Sequence, residues 1–149
     1  MSGAVNSIPE FDCNGNLPPG DYVVGLHQIE EKLTWTPKRK QLFEGLKSAV
    51  NNLAEAGVTH ILVAGSFVSD KDAPSDIDGC FRPNNLIDVE KLDPVFIDFE
   101  PPREAMKRKY GVDFMLEGVH KGDVDGPCIE DFFRLDRDGN PKGILLILL

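Results

Sequence analysis

Apolar residues return at every third or fourth position between 42 and 54. Leu42, Leu46, Val50 and Leu53 form the stripe, and Phe43, Ala49 and Ala54 widen it. That period belongs to a helix with one buried face. Thr36-Pro37 supplies its start, with Thr as N-cap and Pro at the first helical position, and Gly57 supplies its stop. The pattern predicts an amphipathic helix over 38–56. Directly afterwards the period changes. Ile61-Leu62-Val63-Ala64 is apolar throughout and rich in branched side chains, as in a buried strand. Further strands are predicted over 76–81, 111–116 and 142–149, the last apolar to its end.

Shorter helical signals lie between them. Leu26, Ile29 and Leu33 predict a helix over 25–33, whose polar face, with His27, reads as solvated. Leu86, Val89 and Leu92 predict one or two helical turns. Pro101-Pro102 opens a helix that runs through Tyr110 and stops at Gly111. Apolar positions 129, 132, 133 and 135 favour a short helix over 129–135. Residues 95–99 fit neither period, and 117–126 read as a polar loop. Asp136-Arg137-Asp138-Gly139-Asn140 starts like a calcium loop, but Gly139 comes too early and no Glu closes it, so it reads as a turn. Residues 1–24 carry Pro9, Pro18, Pro19, Gly15 and Gly20. They predict an extended arm with a turn at 12–16, anchored by Ile8, Phe11 and Leu17; the plainer alternative is a partly disordered tail. Alternating helix and strand signals over one such length give an α/β (α+β) class.

A chain of 149 residues suits one domain, 1–149, with a sizeable core. Its formal net charge is −9 and its pI about 4.7. That balance argues against a grip on nucleic acid over many phosphates, which needs a Lys/Arg surface. It leaves room for a small nucleotide. Cys13, Cys80 and Cys128 are odd in number and widely spaced, against both a zinc site and a disulfide framework. Met1-Ser2-Gly3-Ala4-Val5 does not have the features of a signal peptide. The apolar run at 144–149 is far too short to span a bilayer. The expected compartment is the cytoplasm.

The candidate chemistry sits between residues 61 and 81. Gly65-Ser66 ends the first strand, where a glycine lets the backbone turn sharply and approach a ligand closely. Free N–H groups and the Ser66 hydroxyl there can cradle a phosphate. Asp76-Ile77-Asp78 follows, and strand alternation puts both carboxylates on one face. Side by side they repel, unless a divalent cation sits between them. Lys71, in the connecting loop, is either a phosphate contact or a plain surface lysine. Asp113, between Val112 and Phe114, is one polar residue projecting from an otherwise apolar segment, either an ordinary strand-end aspartate or a partner for the pair. Two basic clusters stand out, and each reads first as a solvated helix face. Lys38-Arg39-Lys40 otherwise edges a nucleotide or RNA path; Arg103, Lys107, Arg108 and Lys109 otherwise form a binding patch.

Gly65-Ser66, the spacer and Asp76-Ile77-Asp78 resemble the signature of the DNA polymerase β-like nucleotidyltransferase superfamily, with Asp113 matching its third carboxylate. The segments IPEFDCNGNLPPGDY and FFRLDRDGNPKG look like those of small, uncharacterised bacterial and phage proteins of that superfamily. The resemblance implies a small mixed sheet with flanking helices and the carboxylates on one face. It implies a Mg²⁺- or Mn²⁺-dependent enzyme that moves an NMP from an NTP. Asp76, Asp78 and Asp113 would be catalytic and metal-binding, and Gly65, Ser66 and Lys71 would bind nucleotide. Attack would fall on the α-phosphorus, with Asp113 available as general base. Minimal nucleotidyltransferases of toxin–antitoxin pairs are the nearest in size, so a toxin–antitoxin or phage-defence context is implied. The expected acceptor is a protein, ahead of RNA or a small molecule, because the net charge disfavours a polyanion. The competing expectation is a catalytically inactive scaffold acting as a binding, inhibitor or antitoxin protein.

Overall fold

Thr36 caps the long helix as the sequence predicts: its hydroxyl accepts the N–H of Arg39 at 3.2 Å. The computed structural model describes residues 7–98, 100–122 and 125–149. In chain order its elements are β1 (Asp21–Val23), α1 (Leu26–Leu33), α2 (Pro37–Glu55), β2 (His60–Ala64), β3 (Ile77–Phe81), α3 (Glu104–Tyr110), β4 (Val112–Leu116), α4 (Ile129–Phe132) and β5 (Ile144–Leu148). The strands form one mixed sheet in the order β1-β5-β2-β3-β4. β1 runs parallel to β5 and β3 parallel to β4; β2 runs antiparallel to both its neighbours. The class is α+β. Among the described residues, no helix is long and apolar enough to cross a membrane.

Strand alternation divides the side chains between two faces. Ile61, Val63, Ile77, Phe81, Val112, Phe114, Leu145 and Ile147 belong to the main core with Leu42, Leu46, Ala49, Val50 and Leu53 of α2. Leu62, Ala64, Cys80 and Ile144 pack with Ile129 of α4 in a smaller cluster. Asp78 alternates with Ile77 and Gly79, and Asp113 with Val112 and Phe114, so both carboxylates project on the side of the smaller cluster. One face is therefore sealed by helices, and the other is covered only in part.

Several expected elements shift. The arm keeps its anchors, since Ile8 and Leu17 are buried, Phe11 packs against the core, and Asp12 closes the predicted turn by accepting the N–H groups of Asn14 and Asn16. Its end is not a loose extension, however: Asp21–Val23 becomes a strand through register with Ile144–Leu146. No helix forms at 86–92. Leu86 is 80% exposed and Val89 65%, and the carboxamide of Asn84 and carboxylate of Asp88 capture the N–H groups of Leu86 and Glu90. Such local bonds compete directly with helix formation. Pro94–Ile97 forms a 3₁₀ turn that accounts for part of the ambiguous 95–99 stretch. Arg103 has left-handed backbone angles (φ 55°, ψ 43°), so α3 starts at Glu104 rather than at Pro101-Pro102. Asp76 falls just before β3, and α4 stops at Phe132, short of the predicted 135. Residues 1–6 of the predicted arm, Phe99, and 123–124 of the predicted polar loop lie outside the described residues.

Candidate functional site

The parallel pairing of β3 with β4 places Asp78 directly beside Asp113. On its other side Asp78 faces Ala64, the last residue of β2, and beyond it the Gly65-Ser66 turn. Asp76, two residues upstream, shares the face of Asp78. One carboxylate oxygen from each of the three aspartates lies within 4.8 Å of the others. Gly65 makes this crowding possible. Its φ is 74°, and a Cβ there would collide with the carboxylate of Asp78.

Asp76 and Asp78 hold their protons above the usual carboxylate range. Burial comes first for Asp78, followed by repulsion from Asp76 and Asp113, and together they push it up to about 7. Burial and then Asp113 also raise Asp76. Lys107, Lys38 and Arg103 oppose the rise at Asp76; Lys107 and Lys142 oppose it at Asp78. A divalent cation fits this donor set. The oxygens are hard and anionic, close enough to share one ion, and their mutual repulsion is what a cation relieves.

Asp113 already has a partner. Arg103 Nε donates to its Oδ1 at 2.5 Å and Nη2 to its Oδ2 at 3.3 Å, while Lys107 Nζ stands 3.9 Å from Oδ2. The side chains of Arg103 and Asp113 are only 14% and 15% exposed. The hydrogen bond to Asp113 is the main cause of a raised Arg103 pKa. This corrects the picture of one solvated basic face on α3. Arg103 and Lys107 turn toward the triad, Lys109 pairs with Asp93 at 2.5 Å, and Arg108 reaches Glu104 at 4.0 Å. The sequence signal for Arg103 was thin: a cation one helix upstream of a strand aspartate.

The turn after β2 is a 3₁₀ turn over Gly65–Val68. Its shape is fixed from beneath by Arg39, which is 0% exposed. The Arg39 guanidinium donates to five carbonyls: Leu33 (3.1 Å), Ser66 (3.3 Å), Phe67 (2.7 Å), Ser69 (2.6 Å) and Lys71 (2.9 Å). Burial lowers its pKa to about 10, which leaves it charged at neutral pH. The basic cluster at 38–40 is thus not a uniform solvated turn, because its middle residue is a fully buried strut. Lys71 is exposed, and the structure does not bring it to the triad. It lines a hollow with Ser66 and Ser69.

That hollow, about 480 Å³, adjoins another of about 460 Å³ that reaches Asp78. Residues 132–142 wall both, where the sequence predicts the end of a short helix, a turn and the start of a strand but no wall of a site. Asp136 builds that turn by accepting the N–H groups of Asp138 and Asn140 at 2.9 Å each. Lys142, half-buried, has its pKa lowered by burial while Asp136 and Asp78 hold it up. Cys80, behind the site, is buried and its thiol is pushed up to about 12, mainly by that burial.

No curated protein and no solved structure matches the chain. The stretch that does match a family model, residues 9–148, takes in the arm from Pro9 on, the Gly65-Ser66 turn, all three aspartates and the wall at 132–142, and by that match the chain belongs to a family of unknown function, DUF6932.

Proposed function

We propose that the protein is a divalent-metal-dependent nucleotidyltransferase that moves an NMP from an NTP to an acceptor, with a cytoplasmic partner protein as the acceptor class. The observation that carries this reading is the convergence of Asp76, Asp78 and Asp113 within 4.8 Å, beside a tight turn whose glycine is sterically required. Asp76, Asp78 and Asp113 would hold Mg²⁺ or Mn²⁺. When bound, the metal supplies neutralisation of phosphate charge and a lowered pKa for an acceptor hydroxyl. Gly65 lets a phosphate approach the backbone, and Ser66 offers its hydroxyl. The acceptor oxygen bonds to the α-phosphorus, the bond from that phosphorus to the bridging oxygen breaks, and pyrophosphate leaves. The hydroxyl proton goes to Asp113 Oδ2, on which the hold of Arg103 is the longer one. A net charge of −9 favours a protein acceptor over RNA. The toxin–antitoxin or phage-defence setting belongs to this same proposal.

The test is transfer of label. The protein is incubated with Mg²⁺ or Mn²⁺, each α-labelled NTP, and a lysate or RNA pool. The expected result is label on a macromolecule with release of pyrophosphate, abolished by Asp76→Ala. One observation favours a second reading. Arg103 already neutralises Asp113, as a scaffold that had given up catalysis would do. Such a binding, inhibitor or antitoxin protein would transfer nothing from any nucleotide, and Mg²⁺ with NTP would not raise its melting temperature.

A further inference from the structure

The cleft beside the triad has two chemically different ends. Next to Ser66 it is cationic. Lys142, Arg137 and Lys71 line it, and among the described residues none of their side chains is in an ion pair. Two carboxylates share that lining, Asp136, which is committed to its own turn, and Asp138, so three cations face two anions there; nearby Arg134 is committed to Asp21 and the Glu130 carbonyl. Away from Ser66 the wall turns apolar, with Phe132, Phe133 and Leu135. Phe132 is 40% exposed and Leu135 44%, which is costly surface to leave open in so acidic a chain. Phe132 and Phe133 meet edge to face at 5.8 Å, and Lys121 Nζ stands 5.2 Å from the Phe132 ring centre. The two hollows, about 460 and 480 Å³, are of the size that takes a small molecule.

A cationic end, an apolar aromatic end and Asp78 of the triad in the lining of the apolar hollow match one ligand class. We propose that the cleft between the Gly65-Ser66 turn and residues 132–142 is a nucleoside triphosphate site, in which Lys142 and Arg137 hold the phosphate chain and Phe132 with Leu135 takes the base by stacking. This rests on the nucleotidyl-transfer reading and adds to it residues and a selectivity. The apolar wall offers a base contact area but no side-chain pattern of donors and acceptors, so all four bases bind comparably. Lys142 is the central contact, since it lines both hollows and its half-buried ammonium lies within the field of Asp78.

The test is equilibrium binding of a ribose-labelled fluorescent ATP with Mg²⁺, competed by ATP, GTP, CTP, UTP and inorganic tripolyphosphate. Lys142→Gln is expected to weaken all five competitors about tenfold or more, as for loss of one charged phosphate contact. Arg137→Gln, at an exposed position where misfolding is not at issue, should weaken them in the same direction by less. Phe132→Ala should weaken the four nucleotides severalfold and leave tripolyphosphate unchanged. If Lys142→Gln and Phe132→Ala bind as the wild type does while Asp78→Asn loses Mg²⁺-dependent binding, the cleft assignment falls and the metal site stands. If instead both cleft variants bind weakly but Asp78→Asn binds normally, the cleft stands and the metal reading falls. A wild type that binds no nucleotide overturns both.

Discussion

Arg39 and Arg103 hold opposite kinds of partner. Among the described residues Arg39 touches no carboxylate; its five bonds go to main-chain carbonyls, and its guanidinium lies 3.7 Å from the Trp35 ring centre. Arg103 touches a carboxylate of the candidate site. The first is a strut: five fixed acceptors spread over Leu33 to Lys71 can be satisfied together only by a planar fork of donors. The second is a counter-charge, and one cation can stand in for another. The difference separates what shapes the Gly65-Ser66 turn from what a metal would have to displace.

The contrast can be broken most severely at Arg39. Arg39→Met leaves buried carbonyls without donors and should cost about 3–5 kcal/mol in urea unfolding. Arg39→Lys should recover little of it, since an ammonium has only three donors on a differently shaped head. Full recovery by lysine would reduce Arg39 to a charge and erase the distinction.

Asp78 provides the next largest effect. Its folded pKa, about 7, lies above the roughly 3.9 of an unfolded aspartate. The folded state therefore holds its proton more tightly. The stability this contributes is complete below about pH 4 and is lost as pH rises through about 7. Without metal, Asp78→Asn should flatten that part of the stability profile. Above pH 7 it should exceed the wild type by about 1–2 kcal/mol, allowing for the solvent that reaches a half-buried group. It should also remove any gain from Mg²⁺. An Asn variant that is weaker at pH 8 would assign Asp78 a structural hydrogen bond instead.

The smallest effect is at Arg103. Arg103→Gln should lower metal-free stability by about 1 kcal/mol at most, because the group is replaceable. Mg²⁺ should restore that loss and bind the variant more tightly than the wild type, as read from melting temperatures across a Mg²⁺ titration. Equal stabilisation of both proteins by Mg²⁺ would mean that Arg103 does not compete for Asp113.

Legibility followed the range of the interactions. α2 and β2 were readable because their signals are local: a cap, a stripe, a branched apolar run. Asp76 and Asp78 were readable as a pair through strand alternation, and the candidacy of Asp113 came from a resemblance. What stayed hidden depended on partners distant in sequence. β1 is three residues long and is a strand only because β5 lies beside it. Arg39 sits in a basic run that looks solvated until the loop at 66–71 folds over it. Arg103 needs the packing of α3 on β4 to find Asp113. The spacing of Leu86, Val89 and Leu92 misled because Asn84 and Asp88 win the backbone N–H groups first.

Gly65 has a consequence in mutational terms. Any amino acid one base away from a glycine codon carries a Cβ, and at this position a Cβ meets both a left-handed backbone and the carboxylate of Asp78. The residue thus has no near neighbour in sequence space that keeps the turn and the triad together. In a saturation library selected for folding alone, substitutions at 65 should be rescued only in part and only by Asp78→Gly, because the Asp78 Cβ itself would stand 2.8 Å from the new Cβ and the left-handed backbone remains. In one selected for function, if Asp78 works as proposed, that escape closes and position 65 should stay glycine.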